Sequence, residues 1–158
     1  MKKLLCALGC VLALTTGGHI AAQDKAAGQL TSAEWLARIQ ADKKGIVAKS
    51  MDLTPVEAKK FWPLYEQFQR ELAVPQGSLN RAVLDYIAAE GTLTDANAKR
   101  ITEQMLVAVR DEARLHDKHY RQLIKVLPAR KATRYIQIEN KMQAVVRYES
   151  AKTFPLAQ

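Results

Sequence analysis

The stretch Leu53-Thr54-Pro55-Val56-Glu57 commits this chain to a helix and to other helices that must cover it. Threonine before a helix accepts a hydrogen bond from a first-turn N–H, and a glutamate three residues on reaches back to the cap backbone. Proline suits the first helical position, where its missing N–H has no intrahelical partner. Ala58, Phe61, Trp62, Tyr65, Phe68 and Leu72 then recur at steps of three and four, an apolar stripe along one face. Pro63 lies inside the pattern and predicts a kink near the second turn. Pro75, Gln76 and Gly77 are expected to end the element.

The rest of the chain reads the same way. Thr31 with Glu34 is a second capping box, and Trp35, Ile39, Ile46 and Val47 mark the inner side of the first helix, with Gly45 expected to bend or split it. A shorter third helix is expected over about Leu79 to Glu90, with Val83, Leu84, Tyr86 and Ile87 as its apolar content and Gly91 as its stop. Leu93-Thr94-Asp95 opens the longest helix, to about Leu127, with a seam of Ile101, Met105, Val109, Ala113, His116, Tyr120, Leu123 and Leu127. Pro128 breaks it, and a last helix runs from about Ala129 to Lys152 with Tyr135, Ile138, Met142 and Val145 inward. The tail Phe154-Pro155-Leu156 cannot continue that helix and is expected to fold back as an apolar latch. The fold class is all-α, built of kinked amphipathic helical hairpins, with residues 31–158 as a single helical domain.

The N-terminus has the layout of a secretory signal: Lys2 and Lys3, an apolar run from Leu4 to Leu14, and small residues at Ile20-Ala21-Ala22. Cleavage is placed after Ala22, and Gln23 to Leu30 reads as a mobile lead-in. The run is too short to span a bilayer as a helix. A lipoprotein reading through Ala7-Leu8-Gly9-Cys10 places the cysteine inside the apolar core of the signal. Removing residues 1–22 leaves 136 residues, with 22 basic and 16 acidic side chains and a net charge of +6 instead of +8. Cys6 and Cys10 leave with the signal, which removes disulfides, thiolate metal sites and a cysteine nucleophile. A periplasmic location follows. It makes nucleotide-driven and nucleic-acid functions poor readings despite the basic charge.

Leu53-Thr54 with Glu57, and Leu93-Thr94 with Asn97, stand forty residues apart, each at a helix start. In a small exported helical chain this resembles the LTXXQ-motif family of periplasmic proteins, the Spy/CpxP group, over about Thr31 to Leu156. Glu57 keeps the capping role of the motif's glutamine, whereas Asn97 is too short to reach back well. The resemblance implies a thin, cradle-like array of helices, often dimeric, with a basic, partly apolar concave face. It implies an ATP-independent chaperone or envelope-stress adaptor that binds partly unfolded envelope clients. The alternative is a periplasmic sensor or regulatory module for a divalent metal or for a membrane sensor's periplasmic domain.

Three constellations are candidates for function. Lys118, Arg121, Lys125, Arg130, Lys131 and Arg134 form a basic stretch that either attracts anionic partners or is a solvated helix surface. Trp35, Trp62, Tyr65 and Phe68 form either an exposed client-binding patch or core. His116 and His119, with Glu112 one turn earlier, can present two imidazoles and a carboxylate to a metal, a weak pattern. No nucleophile–base or paired-carboxylate arrangement stands out, so the reading is non-enzymatic, without a cofactor.

Overall fold

The computed structural model describes residues 30–89, 91–152, 154 and 156. The signal segment 1–22 and residues 23–29 of the lead-in lie outside the described residues, as does Glu90, the expected end of the third helix. Four helices and no strand are present among the described residues: α1 (Ser32–Met51), α2 (Pro55–Ala88), α3 (Asp95–Leu123) and α4 (Ala129–Ala151). The fold is all-α and built of helical hairpins. No described helix is long and apolar enough to cross a membrane.

The caps of α1 and α2 form as their residue types dictate. Thr31 and Thr54 each accept from the backbone N–H three residues on, and Glu34 and Glu57 each accept from the cap N–H. Helix α1 is broken inside, at Asp42 (φ −152°, ψ 64°) rather than at Gly45. Asp42 recaps the helix by accepting from the Gly45 N–H at 2.7 Å, and its carboxylate fills the space a Cβ at residue 45 would occupy. Gly45 is there to admit the cap. Asp52 ends α1 in the left-handed region at φ 48°, a conformation aspartate tolerates better than most residues.

The expected stop at Pro75-Gln76-Gly77 and the separate helix over 79–90 are corrected by the structure. Helix α2 runs unbroken through Pro63 and Pro75 for 34 residues. An interior proline costs about 3 kcal/mol against alanine. Packing along α3 on both sides of Pro75 holds the helix together, with Leu72 before it and Ala82 after it buried. Gly91, at φ 82°, is the stop that holds. The expected seam of α3 is also shifted. Val109 and Ala113 face water, while Ala108, Glu112 and His119 are buried beside Ile101 and Leu123.

Helix α2 packs along α3 and α1 along α4, with a smaller contact between α3 and α4. The two pairs meet at a base formed by the α1–α2 and α3–α4 turns. There Phe61, Tyr65, Phe68, Leu123, Leu127 and Tyr135 form one core. The Phe61 and Tyr135 rings meet edge to face at 5.2 Å. Lys131 of α4 stitches the base, donating to Glu57 at 2.6 Å and to the Asp52 carbonyl at 2.8 Å. Away from the base, the distal halves of α2 and α3 face the end of α4 across a groove.

Candidate functional site

That groove, about 490 Å³, is lined by Ile39 of α1, Leu79 and Val83 of α2, Met105 of α3, and Met142 and Val146 of α4. Three charged side chains, Lys43, Glu112 and Arg147, also line it. Its apolar character follows from pairing: α2 and α3 satisfy each other along one line, and the next line of each helix is left unpaired. Leu84, Ile87, Leu106 and Val109 are further exposed apolar residues on the distal α2–α3 hairpin.

Two buried carboxylates hold the groove's inner edge. Glu112, 4% exposed, accepts from Gln143 at 2.8 Å and from Arg147 at 3.2 Å, with His116 at 3.8 Å. Its contact with His116, and then the Arg147 charge, hold its carboxyl below the usual carboxylate range against the opposing effect of burial. Glu139 is fully buried and accepts from the Tyr135 hydroxyl at 2.9 Å and from Gln69 at 2.9 Å. Lys43 of α1 pairs with it at 2.8 Å. Three helices therefore converge on one carboxylate. Burial, and then the Glu139 charge, push the Tyr65 hydroxyl up to about 12. The same two causes raise Tyr135 further.

The two histidines are separated in their roles. His119 is 2% exposed and stacks flat on Phe68, centroids 4.2 Å apart, with its Nε2 buried and without a hydrogen-bond partner. Burial, and then the neighbouring His116, push it down to about 4, so its ring is neutral near pH 7. His116 meets the Phe68 ring edge-on at 5.1 Å and turns its Nε2 toward Glu112. Among the described residues, no group of three His, Cys, Asp or Glu side chains converges to hold a metal ion.

Of the aromatic candidates, Tyr65 and Phe68 lie in the core, 4% and 2% exposed, which is the core alternative the sequence left open. Trp62 is half-buried beneath Lys44, whose Nζ sits 5.3 Å from the ring. Trp35 is exposed and lines a second groove of about 630 Å³ between α1 and α4, together with Arg134 and Lys141. Trp35 and Arg134 are thus brought together. Within the basic stretch, Lys118 pairs with Glu71, Arg121 with Asp117 at 3.0 Å, and Lys131 with Glu57, while Lys125 and Arg130 are exposed.

Sequence reasoning missed Glu139, Lys43 and Gln69 as a unit. Glu139 was findable, since Tyr135, Glu139 and Met142 follow at steps of four and three on the inward line of α4. Comparison with known families, curated proteins and solved structures returned no match. The resemblance to LTXXQ-motif proteins therefore rests on sequence features alone. Thr94 accepts from the Asn97 N–H at 3.3 Å, and the reciprocal half of the box, present at Thr31 and Thr54, is absent there.

Proposed function

We propose that this protein is a non-enzymatic, ATP-independent chaperone or stress adaptor of the periplasm that holds partly unfolded proteins. The observation that carries the reading is the apolar groove between the helix pairs, together with exposed apolar residues on the distal α2–α3 hairpin. Exposed apolar surface at a concave site is the feature expected of a protein that binds other chains. The net positive charge of the chain brings acidic clients in by long-range attraction, and loose apolar contact holds them. Release needs no nucleotide, because a folding client buries the same apolar residues within itself. The export signal at residues 1–22 supports the compartment, and the Leu53-Thr54…Glu57 start supports kinship with LTXXQ-motif chaperones.

The test is suppression of aggregation of an unfolded client by the chain lacking residues 1–22, at near-stoichiometric ratio. Val83→Glu and Met105→Glu place charge in the groove at partly exposed positions and are expected to abolish protection while circular dichroism stays helical. Aggregation that proceeds unchanged at several-fold excess of the unsubstituted protein removes the reading.

A further inference from the structure

We infer that Phe154, just beyond the end of α4, is a built-in ligand of the groove, displaced when a client segment of the same chemistry binds. Helix α4 ends at Ala151, and Pro155 disfavours helical backbone at Phe154, so the chain cannot simply extend outward as helix. Phe154 turns back instead. It lines the groove with Leu79 and Val83, and its ring centre sits 4.9 Å from that of Tyr86 on α2. Leu156, two residues on, is 87% exposed. Of the residues described after Ala151, Phe154 alone lines the groove.

This arrangement identifies the ligand the groove takes. An aromatic side chain on non-helical backbone enters between α2 and α4, from a segment that has no charge after Lys152. Lys43 and Arg147 line the same groove, but each is paired with a buried carboxylate, Glu139 and Glu112, so the lining favours an uncharged ligand. The external partner is thus an extended segment of an unfolded protein, bearing an aromatic residue and uncharged flanks. A single ring is a shallow anchor, so such a segment competes by mass action. While the tail is seated, the apparent affinity for a client falls by the fraction of molecules with the groove open.

The inference rests on reading the groove as the client site, and the experiment separates the two. A fluorescent peptide copying residues 150–158 is titrated into the mature chain and into the mature chain truncated after Lys152, and both chains are assayed for client protection. The peptide is expected to bind the truncated chain roughly tenfold more tightly than the full chain. Phe154→Ala in the full chain should reproduce the truncation, and Leu156→Ala should not. Truncation should also lower the amount of protein needed for protection. Equal peptide affinity and equal protection by the two chains overturn the inference and leave the chaperone reading standing. Protection by neither chain removes both.

Discussion

The base of the bundle and its open end are built from the same helices but spend their apolar residues differently. At the base, Phe61, Phe68, Leu123 and Tyr135 are at most 2% exposed, and rings from α2 and α4 lock edge to face. Lys131, Glu57 and the Asp52 carbonyl tie the turns together there. At the open end, Leu84, Ile87, Leu106 and Val109 stay at the surface, and the helix pairs part around the groove. The base specifies the fold, and the open end keeps apolar surface available. On the proposed reading, stability and binding are thereby placed in separate regions, which would let the binding surface change at little cost to folding.

The largest expected effect tests that division directly. Phe61→Ala empties a fully buried ring position and should destabilise by about 3–5 kcal/mol. Val83→Ala at the groove removes a half-buried side chain and should cost about 1 kcal/mol or less. Urea denaturation of both variants checks the pair. Comparable losses at the two sites would mean that the groove is structural core, and the division would be lost.

The base should also carry the pH dependence. The His119 ring is buried against Phe68 and Tyr135, with His116 and Glu71 as the titratable groups nearest in effect, and its folded value of about 4 lies below the ordinary 6.5. The unfolded chain therefore binds more protons at this residue between these values. Its contribution is fully present above pH 6.5 and is lost as pH falls toward 4, a change of roughly 3 kcal/mol. The Glu112 carboxyl, held below the usual range, loses its contribution only as pH falls below the ordinary 4.5. Denaturant midpoints between pH 7 and 5 thus report His119, and His119→Leu should flatten that part of the curve. A slope unchanged by the substitution would place the titration elsewhere.

The sequence made these two regions legible to different degrees. Helix starts at Thr31 and Thr54 were readable because a capping box is decided within four residues. The run of α2 through Pro75 was not, since the local breaker is overridden by packing along α3 on both sides. The seam of α3 slipped for a related reason. Val109 and Ala113 are apolar and look like core, while the core line passes through Glu112 and His119, which Gln143, Arg147 and the Phe68 ring make tolerable inside. The groove was hidden for a third reason. Periodicity marks Val83 and Met105 as apolar, but only the parting of the helix pairs decides that they remain uncovered.

The smallest effect compares the two starts that carry the family-like motif. Thr54 heads α2 at the base with a reciprocal box, its Oγ1 accepting from the Glu57 N–H at 3.3 Å and its own N–H donating to Glu57 at 2.8 Å. Thr94 heads α3 at the open end with the first of these bonds alone. Thr54→Ala should cost about 1 kcal/mol, and Thr94→Ala should cost less, because fewer bonds are lost and the neighbouring turn is exposed. Asn97→Glu lengthens the side chain enough to reach back to the Thr94 N–H and should add a few tenths of a kcal/mol. Thermal midpoints of the three variants check this order. If Thr94→Ala proves as costly as Thr54→Ala, the distal hairpin is held by its cap as firmly as the base, and the contrast between the two regions narrows to their apolar packing.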